Sequence, residues 1–167
     1  VWSYKADRDL HGIYYTYTID VLGKTNKEVA DPYASSSNAN GKRSLVVNWE
    51  KIETNLTNVA PEVVSPSSVT VYETHVRDFS MSDSWNGKNE NRGKYLGMIE
   101  EGTKLSTGES TGFDYIKNSG VTHIQLQPVY DFASVDETKL NDKKYQTAHR
   151  GGIYNWGYDP YSYSSLE

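Results

Sequence analysis

Two short β-prone runs, 69–76 (VTVYETHV) and 121–129 (VTHIQLQPV), bracket a stretch that reads as one helix, Phe113–Asn118 (FDYIKN). Apolar runs of this kind suit buried strands of a parallel sheet. Thr111 stands where a helix N-cap belongs, and Ser119 with Gly120 supplies the stop. Strand, helix, strand in this order is a βαβ unit, right-handed by default, so the C-terminal part of the chain must build parallel strands. Between the first strand and the helix, residues 77–112 are polar and Gly-rich, with one helical piece around Tyr95–Ile99. A loop of that length inside a compact domain carries its own structure or a function.

The N-terminal third has a different character. GIYYTYTIDV (12–21) is a β-prone run that begins after a turn at Leu10–Gly12 and stops at Gly23, and SLVVNW (44–49) gives another short strand. Strands without a helix point to a piece of a β-sandwich. Residues 56–68, with two Pro and several Ser, Thr and Asn, have the composition of a linker. The expected organisation is therefore 1–55, linker 56–68, and 69–167.

YNWGYDP (Tyr154–Pro160) interleaves aromatic rings with an amide, a carboxylate and a glycine. Aromatic faces suit the C–H side of a sugar ring, and Asn155 and Asp159 are hydrogen-bonding groups for its hydroxyls. Gly157 and Pro160 make the segment a loop. On composition alone, a turn whose rings cover a core edge explains the same residues equally well. The whole chain, with 14 Tyr and 4 Trp against 3 Phe, favours rings that carry a polar handle. The same rings also suit pleated strands.

A second segment separates the two readings. VYETHVRDFS (71–80), GVTHIQLQPVYDFASV (120–135) and YNWGYDP stand in the order found in type I pullulanases, the starch-debranching branch of the α-amylase superfamily, and the chain resembles that family. DLHGIYYTYTIDV (9–21), DPYA (31–34) and NGKRSLVV (40–47) resemble the C-terminal half of the starch-binding-type module that precedes the catalytic domain there. The resemblance implies a β-sandwich segment followed by the first strands of a (β/α)8 TIM barrel. It implies hydrolysis of α-1,6 branch points in pullulan, amylopectin and limit dextrins. Such a barrel takes about 250 residues, so 167 cannot close one and the chain is expected to be incomplete. The remainder is expected as missing polypeptide, or as a second chain after nicking beyond the polar run Tyr161–Ser165 (YSYSS), read as flexible.

In such barrels the loops after the strands form the active-site face. By resemblance, Tyr158 stacks under the sugar before the scissile bond, Asp159 hydrogen-bonds near the same subsite, and Asn155 and Trp156 shape the wall. Tyr154 and Gly157 are read as scaffold. His75, Arg77 and Asp78, after the first strand, are read as a polar network that orders the top of the barrel rather than as substrate contacts. A retaining glycosidase needs two carboxyl groups about 5 to 5.5 Å apart. In this family they come from later strands, so no catalytic residue is assigned and the chain alone is expected to be inactive. Glu100 with Glu101, and Asp78 with Asp83, are read as ordinary surface acids. The alternative is a noncatalytic glucan-binding or structural fragment, and nothing in the Tyr-rich strands assigns binding residues to the module.

Other chemistries find little support. A net charge of −5 offers no basic stripe for nucleic acid. No Cys is present, and the four His have no metal-ligand spacing. No apolar run reaches the ~18 residues of a membrane span, and the opening VWSYKADRDL has no signal-peptide pattern. Secreted and cytoplasmic locations both stay open. No cofactor is required by the expected chemistry. The superfamily includes members with a structural Ca2+, and DFASVDE (Asp131–Glu137) is a segment that could donate oxygens to one, without assigned ligands.

Overall fold

The computed structural model describes residues 3–52, 65–148 and 155–167. Tyr154, Trp2 and most of the expected linker lie outside them. In chain order the elements are β1 (Tyr14–Tyr15), β2 (Tyr17–Val21), β3 (Lys24–Val29), β4 (Ser44–Leu45), β5 (Val71–Thr74), α1 (Tyr95–Met98), α2 (Gly112–Asn118), β6 (His123–Leu126), β7 (Tyr130–Phe132), α3 (Lys143–Ala148) and β8 (Pro160–Leu166). The chain falls into two compact units, Val1–Leu56 with Val129–Glu167, and Thr57–Pro128. Contacts thus group residues 129–167 with the first strands.

The first unit is built from antiparallel pairs. β2 and β3 form a hairpin in which Val21 opposes Lys24. The two turn residues, Leu22 and Gly23, both have positive φ (49° and 77°), the signature of a type I′ turn whose twist matches the strands. β3 itself, KTNKEV, is polar and almost wholly exposed. β1 pairs with β4, with Tyr14 opposite Leu45 and Tyr15 opposite Ser44. Only Ser44–Leu45 of the strand expected at 44–49 is extended in a sheet; Trp49 begins a 3-10 turn, Trp49–Lys51, capped by the Asn48 side chain on the Glu50 N–H.

β7 and β8 pair antiparallel, Phe132 facing Pro160 and Tyr130 facing Leu166, through two register irregularities. YSYSS is therefore a strand and not a flexible tail, a correction to the sequence reading. Its Ser165 is buried, with its hydroxyl 2.7 Å from Ser37 Oγ, and Tyr163 meets the Tyr130 ring at 5.7 Å. Small hydroxyl side chains let this strand approach its neighbours while satisfying their own polar atoms.

The second unit holds the βαβ arrangement. β5 and β6 are parallel and in register from Val71–His123 to Thr74–Leu126. Thr70 and Thr122 lock the start of the pair, Thr122 Oγ1 donating to the Thr70 carbonyl and accepting from the Thr70 N–H, both at 2.9 Å. α2 lies between them in sequence and buries Ile116. Gly120, at φ 80°, provides the left-handed turn that follows the helix. Thr111 occupies the N-cap position but its side chain makes no capping bond, and its buried Oγ1 has no hydrogen-bond partner.

Both strands are exposed, with Val71 at 56 % and Ile124 at 43 %, contrary to the buried expectation. Parallel strands become buried only when helices cover both faces of a larger sheet, and the described residues of this unit hold one strand pair. The buried apolar residues lie elsewhere, at Trp85, Met98 and Ile116. The long loop carries its own structure, as expected: Arg92 stacks 5.1 Å over the Trp85 ring and donates to the Ser82 and Trp85 carbonyls. No helix among the described residues is long and apolar enough to cross a membrane.

Candidate functional site

The loop ahead of β8 is organised by Asn155. Its amide nitrogen donates to Asp159 Oδ1 and to Ser134 Oγ, and its amide oxygen accepts from the Gly157 N–H at 2.6 Å. Gly157 is buried at φ 87°, a backbone state that side chains disfavour. The Asp159 carbonyl accepts from the Ala133 N–H at 2.9 Å, fastening the loop to β7. The amide of Asn155 is thus spent on the loop itself and has its main partners within the protein. Trp156 and Tyr158 stand outward, 60 % and 66 % exposed.

Exposed aromatic faces on a loop braced from within form a platform that can receive a flat apolar surface with little loss of side-chain freedom. Asp159 is exposed beside it. Of the six residues read from YNWGYDP as site or scaffold, the structure brings Asn155, Gly157 and Asp159 into direct contact and leaves Trp156 and Tyr158 free-standing; Tyr154 lies outside the described residues.

In the second unit, His75, Arg77 and Asp78 cluster after β5. His75 is buried, its Nδ1 3.4 Å from Asp78 Oδ2, and Arg77 Nη1 lies 4.0 Å from Asp78 Oδ1. Asp78 also borders a groove with Tyr72, Phe79 and Tyr115. Ser80, fully buried, accepts from the Gly93 N–H at 2.7 Å and pins the following loop. The adjacent acids Glu100 and Glu101 have structural duties: Glu100 accepts from the Lys88 N–H and from Asn91 Nδ2, and Glu101 pairs with Lys117 at 3.7 Å. The Asn91 hydrogen bond is the main reason the Glu100 carboxyl is held below its ordinary range.

Asp31, the first residue of DPYA, is a third polar centre. Tyr15 and Tyr17 donate their hydroxyls to its Oδ2 at 2.7 and 3.3 Å, and the Tyr33 N–H donates to Oδ1 at 2.9 Å. Burial alone would raise this carboxyl, but the hydrogen bonds outweigh it and hold the group low. Burial first, then the Asp31 hydrogen bond and charge, push the Tyr15 phenol up to about 12.

One cluster was signalled by the sequence only in part. Asp131 on β7, Glu137 in the 3-10 turn Glu137–Lys139 and Glu167 after β8 bring carboxylate oxygens within 4.8 Å of one another. Asp131 is 1 % exposed and its Oδ2 has no hydrogen-bond partner. Burial and then the Glu137 charge raise its carboxyl to about 6. Burial also raises Glu167 to about 7; the Phe132 N–H opposes that shift, and the charges of Glu137, Asp131 and Asp159 add to it. Only the DFASVDE segment pointed here. Glu167 and the facing Gly41 are far away in sequence and carry no local signal.

The comparisons with known proteins bear on all of this. No family model matches the chain. A pullulanase of Bacillus subtilis (strain 168) is 35% identical over 168 residues, covering 100% of this chain and 21% of its own length. The chain corresponds to a segment of the pullulanases. The crystal structure of a pullulanase from Anoxybacillus sp. LM18-11 complexed with maltotriose superposes with a TM-score of 0.82 at 35% identity, over 98% of this chain and 22% of that one. A pullulanase from Paenibacillus barengoltzii in complex with maltohexaose and alpha-cyclodextrin gives 0.78 at 36% identity, over 97% and 24%. The chain therefore spans about a fifth of the length of these pullulanases.

Proposed function

We propose that this chain is the part of a pullulanase-type glycoside hydrolase in which an accessory β-sandwich module, residues 1–55, leads through 56–68 into the opening strands of a (β/α)8 barrel, residues 69–167. The parent enzyme cleaves α-1,6-glucosidic branch points in pullulan, amylopectin and limit dextrins by a retaining mechanism with two carboxyl groups. Those groups lie outside this chain, which by itself is inactive. No cofactor takes part in that chemistry. Parallel pairing of β5 with β6, with α2 between them in sequence, supports the barrel reading.

The observation that carries the proposal is the braced loop 155–159, with Tyr158 66 % exposed, in a chain matching pullulanases that were solved with maltooligosaccharides. In this reading Tyr158 stacks on the glucose before the scissile bond. Asp159 binds hydroxyls of that glucose through the oxygen not engaged by Asn155, and Trp156 forms the wall. Asn155 and Gly157 shape the loop. His75, Arg77 and Asp78 order the polar rim after β5 rather than touching substrate.

Tyr158→Ala and Tyr158→Phe in the full-length enzyme test this, assayed by maltotriose release from pullulan. Ala removes the ring and should lower kcat/KM at least tenfold, a loss of about 1.4 kcal/mol of transition-state binding. Phe keeps the ring and should stay close to the parent value. Equal activity of all three proteins argues for the alternative, a noncatalytic or structural segment.

A further inference from the structure

We propose that Asn86 is a deamidation site, where water converts the side-chain amide to a carboxylate through a cyclic imide formed with Gly87. The dipeptide Asn–Gly occurs twice in the chain, at 40–41 and 86–87. Glycine lacks the Cβ that would shield its nitrogen, so both pairs are chemically open to the reaction and the fold decides between them.

At Asn40 the fold closes the route. Its Nδ2 donates to Asp136 Oδ1 at 3.0 Å and its Oδ1 accepts from the Glu137 N–H at 2.9 Å, so the amide turns only by breaking both bonds. Gly41 is buried, and its N–H, the group that must attack, donates to the Asn38 carbonyl at 2.9 Å.

Asn86 is exposed and lies outside the helices and strands. Among the described residues neither its Nδ2 nor the Gly87 N–H has a hydrogen-bond partner, and only Oδ1 is engaged, by the Lys104 N–H at 2.9 Å. That donor meets the oxygen on which charge gathers when the Gly87 nitrogen attacks Cγ, while the departing nitrogen is unheld. The bond from Gly87 N to Cγ forms as the Gly87 proton passes to solvent, and the bond from Cγ to Nδ2 breaks with loss of ammonia. Water then opens the imide. Breaking the bond from Gly87 N to Cγ gives aspartate; breaking the bond from Gly87 N to the Asn86 backbone carbonyl carbon gives isoaspartate, whose main chain runs through the former side chain.

The second product has a structural consequence. Gly87 passes so close to the buried Trp85 that a Cβ there would fall 2.2 Å from the ring atom Cζ2. Isoaspartate lengthens the main chain between these two residues, in a packing that tolerates small shifts poorly.

The test incubates the full-length protein in mildly alkaline buffer, folded and in parallel in concentrated urea, and follows both Asn–Gly peptides by mass spectrometry after digestion, with aspartate and isoaspartate products separated by chromatography. The urea rate divided by the folded rate gives the protection at each site. Protection at Asn40 should exceed that at Asn86 roughly tenfold, because its two side-chain hydrogen bonds must open first. Asn86→Gln, whose longer side chain disfavours the ring closure, should keep its Tm through the incubation while that of the parent falls. Equal protection at the two sites, or greater protection at Asn86, overturns the assignment. An unchanged parent Tm after Asn86 has converted overturns the consequence drawn for Trp85.

Discussion

Asn155 is hydrogen-bonded to Asp159 across the loop ahead of β8, its amide nitrogen against Oδ1. The same amide holds Ser134 and the Gly157 N–H, so one side chain fixes both the path of the loop and the direction of its acid. Asn155→Ala removes these bonds, each worth about 0.5–1.5 kcal/mol net. The larger effect falls on positioning, where a displacement of about 1 Å costs on the order of a hundredfold in rate. Full-length Asn155→Ala is expected to lose at least tenfold in kcat/KM on pullulan with a modest fall in Tm. Asn155→Asp should be as poor or worse, because it sets a second carboxylate against Asp159. Steady-state kinetics of the two variants check this.

Gly41 and Gly23 make a controlled pair. Both have positive φ, but a Cβ at Gly41 meets Asp131 Oδ2 at 2.1 Å and Tyr161 Cδ1 at 2.6 Å, whereas a Cβ at Gly23 meets nothing within 4 Å. Gly23→Ala should cost about 1 kcal/mol or a little more, for backbone strain alone. Gly41→Ala adds overpacking of roughly 1–3 kcal/mol to the same strain. Urea midpoints should place Gly41→Ala clearly below Gly23→Ala.

The Tyr15–Asp31 pair gives a pH dependence with two arms. Asp31 is held below its ordinary value, so its contribution is present above about pH 3.9, the unfolded value, and is lost as pH falls through the lower folded value. Tyr15 is raised to about 12, so its contribution is complete below about pH 10 and disappears as pH climbs from there towards the folded value. Tyr15→Phe should abolish the alkaline arm contributed by this group and shrink the acid one, as Tm measured across pH will reveal.

Glu100 offers a negative control for catalysis. It fastens the Lys88 N–H and the Asn91 side chain, so Glu100→Gln should lower Tm slightly and leave kcat of the full-length enzyme within twofold. A collapse of kcat with a normal KM would move this acid into the chemistry.

Local pattern made some of this architecture readable. β5, β6 and α2 follow from apolar runs and turn residues close in sequence, and YNWGYDP is a contiguous motif whose loop character follows from Gly157 and Pro160. β3 gave no such signal, because KTNKEV is polar on both faces and is a strand only by pairing with β2. β8 was misread as flexible because its serines look like linker residues; they are instead small groups packed against Ser37 and β7. The carboxylate cluster depends on bringing Gly41, Asp131 and Glu167 together, a long-range closure that no window of sequence displays.

The most direct measurement is a crystal structure of the full-length enzyme with maltotriose bound in the catalytic cleft. The account predicts a glucose ring lying over the Tyr158 ring at about 4 Å, in van der Waals contact, with a hydroxyl hydrogen-bonded to Asp159. A cleft whose sugars make no contact with Tyr158 or Asp159 contradicts it.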